Sequence, residues 1–249
     1  MSKANKRERQ RLNREARREY EEALEKRRRR IKTLKGFAIV AVPVIAIGVV
    51  LSISNSGDDD TSAAKPKTYK QAPETIIDPA TTTYTAVLET SEGNITIALD
   101  AVAAPTSVNN FVFLANDGFY DGLDFHRIAK DFVIQGGDPK GDGSGGPGYQ
   151  VQAELPANGY TVGSVAWAKG GNDPAGTAGS QFFIVTSDQG AANLGGPPYQ
   201  YGIIGQVTQG IETVDKIAAL APASGDGSPT KKVTIKKVSI VEAPTTPSS

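Results

Sequence analysis

The sequence predicts a mainly β domain, a barrel or a sandwich, carried behind one membrane-spanning helix. Several short runs rich in β-branched and aromatic residues alternate between turns full of glycine and proline, the pattern of a many-stranded antiparallel fold. Only two stretches of the same region, 105–117 and 211–220, have helical periodicity. Well before them, residues 36–53 form an uncharged run of 18 residues, which as a helix rises ~27 Å, enough to cross a hydrocarbon core.

Charge divides the chain in the same way. Lys+Arg and Asp+Glu each total 27, but residues 1–35 hold 15 of the cations and 6 of the anions. This segment carries Glu22/Lys26 and Glu25/Arg29 at the spacing of a solvated helix. Its closing cluster, Arg27 to Arg30, would suit a nucleic-acid arm, but the apolar run directly after it makes it the cytoplasmic flank of an anchor. Asp58, Asp59 and Asp60 follow the run, so the positive-inside rule leaves the N-terminus in the cytoplasm and exports the rest. A cleavable signal peptide is the alternative, although Leu51-Ser52-Ile53-Ser54 makes a poor cleavage site. Residues 54–82, rich in Ser, Thr, Asp, Lys and Pro, are expected to be a flexible linker. The domain is expected over 83–242, with 243–249 as a disordered tail.

Within the domain, 84–90 and 94–99 read as a hairpin turning at Ser91-Glu92-Gly93. Pro105 opens the first helix and Gly118 stops it. Further strands are expected at 162–168, 181–186, 201–207 and 231–241, with a second helix at 211–220. The glycines at 141, 143 and 146 match a dinucleotide fingerprint by letter only, because no helix follows them; a surface loop is expected.

The chemistry is bounded by what is missing. There is no cysteine and one histidine, His126, which excludes thiolate nucleophiles and the usual zinc sets; no metal or cofactor is expected. Arg127 is the only arginine after residue 30. A chain that uses lysine for every later surface charge, and arginine once inside an apolar run, calls for a planar guanidinium there.

The blocks FHRIAKDFVIQGGD (125–138), GSQFFIV (179–185) and YGIIGQV (201–207), in that order, resemble the cyclophilins, peptidyl-prolyl cis-trans isomerases. The resemblance covers about 83–242. It implies a closed eight-stranded antiparallel barrel with two capping helices, and prolyl isomerase activity without a cofactor. It further implies Arg127 and Gln135 as catalytic residues, and His126, Phe132, Val133, Ala168, Lys169, Gln181, Phe183, Leu194 and Tyr201 as substrate-binding residues. Asn193 stands where the cyclosporin-binding members carry tryptophan, which implies weaker drug binding. The expected function is a membrane-anchored, monomeric isomerase, of the kind found in bacteria, acting on proline-containing peptides and on unfolded or folding exported proteins. A non-catalytic holdase or scaffold gripping proline segments is the alternative.

Overall fold

The structure, a computed structural model, describes residues 67–245. The expected basic segment and membrane span, and the linker up to residue 66, lie outside the described residues. Among the described residues no helix is long and apolar enough to cross a membrane.

Alternation builds the first hairpin. In β1 (Thr82–Thr90) the side chains of Tyr84, Ala86 and Leu88 turn inward, and in β2 (Gly93–Leu99) those of Ile95, Ile97 and Leu99, as period two requires. There follow α1 (Pro105–Asn116), β3 (Arg127–Ala129), β4 (Val133–Gly136), β5 (Val151–Gln152), β6 (Ser164–Trp167), β7 (Thr177–Ala178) and β8 (Phe182–Val185). The chain ends with α2 (Asp188–Asn193), β9 (Ile203–Gln209), α3 (Ile211–Ala218), β10 (Asp226–Gly227) and β11 (Ile235–Pro244). Nine strands pair antiparallel in the order β10-β3-β4-β8-β6-β9-β2-β1-β11, while β5 and β7 form a separate pair.

The expected closed eight-stranded barrel is corrected by this order, because the ladder stays open between its first and last strands. β10 occupies the free edge of β3 at Ile128 and Ala129, the edge that β11 would need for continuous closure. What remains is a seam just before β3. Asp124 bridges Thr234, the Phe125 N–H donates to the Val233 carbonyl at 2.9 Å, and the Ile235 N–H donates to the Leu123 carbonyl at 2.7 Å. The expected alternation in the last strand is also broken once. Thr90 faces Ile235 while Glu89 faces Lys237, so Lys236 is an extra residue, and the bulge lets both Ile235 and Val238 face the core.

β6 and β8 are buried on both faces. Val165, Trp167, Phe182 and Ile184 join the main core, while Ala166, Phe183 and Val185 turn to a smaller cluster on the opposite face. One-residue offsets in SQFFIV therefore separate structural from functional side chains. α1 packs on β11, β9 and β5, and α3 on β2 and β4. The third helix, α2, was not expected; its sequence DQGAAN has no apolar periodicity.

The start of α1 has no local side-chain cap at Ala104. Glu154 supplies one from afar, accepting from the Thr106 N–H (2.8 Å) and the Ser107 N–H (3.0 Å). Two expected boundaries move. Residues 67–82 are not a linker but lie on the domain: Ile77 is buried, and the Asp78 N–H donates to the Tyr84 hydroxyl at 2.8 Å. At the other end β11 carries the ladder through Ala243 and Pro244, residues expected in the tail.

Candidate active site

The β3–β4 hairpin places Arg127 directly opposite Gln135, and cross-strand neighbours share a face. The Arg127 Nη1 donates to Gln135 Oε1 at 3.0 Å. On its other edge the guanidinium meets Asp226 in a fork, Nε to Oδ1 at 2.8 Å and Nη2 to Oδ2 at 2.7 Å. Both side chains of this ion pair are well exposed, 35% and 53%, so it adds at most ~1 kcal/mol to stability. Its effect is orientation. A guanidinium has five N–H donors; three are engaged here, which leaves one on each terminal nitrogen for a substrate.

Gln135 is held in turn. Its Nε2 donates to Gln181 Oε1 at 2.9 Å, and Gln181 Nε2 donates to the carbonyls of Gly143 and Gly145, both at 2.9 Å. The order Arg127, Gln135, Gln181 is thus a directed chain of donors that ends on a loop backbone.

Beside the guanidinium is a pocket of about 100 Å³, the liquid volume of roughly three waters at ~30 Å³ each. Phe132, Val133, Phe183 and Leu194 form its apolar side, and Arg127, Gln135, Lys169, Ala168 and Tyr201 complete the lining. It suits one small ring. A larger cleft of about 740 Å³ shares Gln135, Ala168 and Lys169 with it and is lined by Gln181 and the 143–150 loop.

α2 sets one wall. Its N-cap Ser187 accepts from the Gly190 N–H (2.9 Å) and donates its own hydroxyl to the Asp131 carbonyl (2.6 Å) in the β3–β4 turn. Gly190 rides so close to Phe132 that a β-carbon there would lie 2.5 Å from the Phe132 carbonyl oxygen. Leu194, the C-cap, is thereby delivered to the pocket. Tyr201 is fixed by Tyr160, whose hydroxyl donates to the Tyr201 carbonyl at 2.7 Å and accepts from its N–H at 3.0 Å. Burial chiefly pushes the Tyr160 phenol up to about 12, so it stays a neutral donor and acceptor. The Tyr201 ring then meets Phe183 edge-on, centroids 5.3 Å apart, with the Lys169 ammonium 5.7 Å from its own centroid.

Two of the expected substrate-binding residues lie outside the lining of the small pocket. His126 does not line the pocket. It precedes Arg127 just outside β3, and its two ring nitrogens are buried without a partner. Burial lowers its pKa against the opposing pull of Asp138, so the ring is held neutral. Gln181 lines the larger cleft and reaches the proline-sized pocket only through Gln135. Asp226 and Tyr160 carry no signal in the sequence; an Asp between two glycines reads as a turn. Among the described residues there is no cluster of three or more His, Cys, Asp or Glu able to hold a metal ion.

Residues 85–240 match the family model described as cyclophilin type peptidyl-prolyl cis-trans isomerase/CLD. A Helicobacter pylori peptidyl-prolyl cis-trans isomerase is 41% identical over 155 residues, 61% of this chain and 88% of that protein. Bacillus subtilis peptidyl-prolyl cis-trans isomerase B is 47% identical over 124 residues, covering 49% of this chain and 81% of that protein. A probable peptidyl-prolyl cis-trans isomerase B of Mycobacterium tuberculosis is 37% identical over 195 residues, 71% of this chain and 60% of that protein. The crystal structure of a Cryptosporidium parvum cyclophilin type isomerase superposes with a TM-score of 0.57 at 29% identity, covering 64% of this chain and 98% of that one. A second structure of that isomerase, obtained in the presence of the dipeptide Ala-Pro, gives a TM-score of 0.54. With its family model, its fold and its guanidinium-edged apolar pocket in agreement, this chain belongs to the cyclophilin-type peptidyl-prolyl cis-trans isomerases.

Proposed function

We propose that the chain is a membrane-tethered isomerase that accelerates X-Pro rotation in exported proteins, with Arg127 as the donor to the imide nitrogen. Amide resonance opposes rotation by ~18 to 20 kcal/mol. No covalent bond breaks, which suits a site without a strong nucleophile. The proline ring enters the pocket between Phe132, Phe183 and Leu194. As the bond twists out of plane the nitrogen lone pair is freed from resonance and becomes an acceptor, and a preorganised N–H then lowers the barrier selectively.

The observation that carries this reading is the three-point grip of Asp226 and Gln135 on Arg127, which leaves two of its N–H groups uncommitted beside an apolar pocket. Proline binding draws support from the relative whose structure was obtained in the presence of Ala-Pro. The export assignment rests on the apolar run at 36–53 and the cationic segment before it. A protease-coupled assay on an X-Pro peptide tests the chemistry. Arg127→Ala is expected to lose two to three powers of ten in turnover, the scale of ~3 to 4 kcal/mol for a lost preorganised donor, with a smaller loss of peptide binding. Arg127→Lys is expected to be impaired too, because an ammonium cannot keep both the Asp226 fork and a free donor. Near-normal turnover in a folded Arg127→Ala protein would defeat the mechanism. An inactive wild type that still binds peptide would favour the holdase.

A further inference from the structure

Outside the sheet, residues 67–77 run along one face of α1 defined by Asn109, Phe113 and Asp117, spaced four apart. Asn109 Oδ1 accepts from the Ile76 N–H at 2.7 Å, and its Nδ2 donates to the Glu74 carbonyl at 2.9 Å. The Tyr69 ring meets Phe113 edge-on at 5.1 Å, and its hydroxyl donates to Asp117 Oδ2 at 2.7 Å. This anchoring is mixed apolar and polar along the whole stretch.

The other side of Tyr69 faces the wall of the large cleft. Its N–H donates to the Pro147 carbonyl at 2.8 Å, and its ring lies 6.1 Å from that of Tyr149. Gly148, at φ 93°, passes so close that a β-carbon would sit 2.6 Å from the Tyr69 carbonyl oxygen. The loop it touches holds glycines at 141, 143, 145, 146 and 148, each of them permissive in backbone conformation. Yet the Gly143 and Gly145 carbonyls in this loop terminate the donor chain from Arg127 through Gln135 and Gln181. The start of the loop is tied by the buried Asp138, which accepts from the Lys140 N–H (2.8 Å) and the Gly143 N–H (2.6 Å). Its far end, 147–149, is held from outside, by Tyr69 and by Asn110, whose Oδ1 accepts from the Tyr149 hydroxyl at 2.7 Å.

We infer that Tyr69 is a positioning residue for prolyl isomerisation: by clamping 147–149, the end of the loop that Asp138 does not tie, it steadies the carbonyl of Gly145 to which Gln181 donates, and through Gln181 and Gln135 it helps to aim the Arg127 guanidinium. The inference rests on the reading of Arg127 as the donor. Its test uses the full-length chain. Tyr69→Ala is expected to lower kcat/KM for an X-Pro peptide by roughly ten- to a hundredfold, the scale of a small misplacement of a catalytic group, at a temperature where melting shows the protein folded. Tyr69→Phe, which keeps the ring against Phe113 and Tyr149 that Tyr69→Ala removes, is expected to restore most of the rate. In the same samples the side-chain amide NMR signals of Gln135 and Gln181 should shift in Tyr69→Ala and stay in place in Tyr69→Phe. Unmoved amide signals with an unchanged rate overturn the inference. So does a rate loss that tracks melting temperature alone while the signals stay in place. If Arg127→Ala proves fully active, the donor reading has failed, and the amide signals still decide whether Tyr69 holds the loop.

Discussion

At the scale of single residues, Arg127 was legible by its chemistry, a lone arginine among apolar residues, whereas Phe132, Val133 and Gln135 were placed by the resemblance of the stretch around it to the cyclophilins. Asp226 was not legible, because it is 99 positions away in sequence and reaches Arg127 only through the β10–β3 pairing. His126 lies next to Arg127 in sequence yet is not among the residues that line the small pocket. Its neutral, partnerless ring has a consequence for acid stability. The folded pKa lies below the ordinary value, ~6.5 for an unfolded histidine, so as pH falls the unfolded chain takes the proton first. The stability tied to the neutral ring is full above ~6.5 and is lost as pH drops toward the folded value. Urea midpoints are therefore expected to fall between about pH 7.5 and 5.5, and to fall much less in His126→Gln. An equal slope in both proteins would assign the effect to other groups.

At the scale of elements, β1, β2, β6, β8, β9 and β11 and the longer helices followed from residue pattern, whereas the short strands β3, β4, β5, β7 and β10 and other elements set by tertiary contacts did not. α2 has too few apolar residues to signal itself and exists because Ser187 ties it to the β3–β4 turn. Residues 67–82 have the composition of a tether, yet Tyr69 and Ile77 find partners on α1 and in the core that composition cannot reveal. α1 likewise takes its N-terminal cap from a residue 47 positions on. Burial pushes the Glu154 carboxyl up, but the hydrogen bonds from Thr106 and Ser107 prevail and hold it below the usual range. Its stabilisation is present above ~4.3, the unfolded value, and is lost as pH falls through the folded one. Glu154→Ala is expected to cost about 1 kcal/mol at neutral pH, the worth of a helix cap with its charge. An unchanged urea midpoint would show that Pro105 starts the helix unaided.

At the scale of the whole molecule, the sequence pointed to the right fold family but to a closed ladder, because no residue pattern shows that a two-residue strand, β10, will take the edge of β3. The proposed placement of the domain outside the membrane is tested by adding protease to intact cells or spheroplasts. The folded part is expected to be released by cuts upstream of residue 67, while a tag at the N-terminus stays protected. Recovery of a mature chain starting near residue 54 would mean cleavage of a signal instead, and a protected domain would place it in the cytoplasm. The pairing of β1 with β11, Thr82 against Pro244 through Thr90 against Ile235, has a bearing on biosynthesis. A polypeptide made from its N-terminus completes β2 at once, but the outer edge of β1 has no partner until the last strand appears. For the whole time taken to synthesise everything between, a nine-residue edge stands open to foreign strands. Protecting that edge before β11 arrives is the need this topology creates during synthesis.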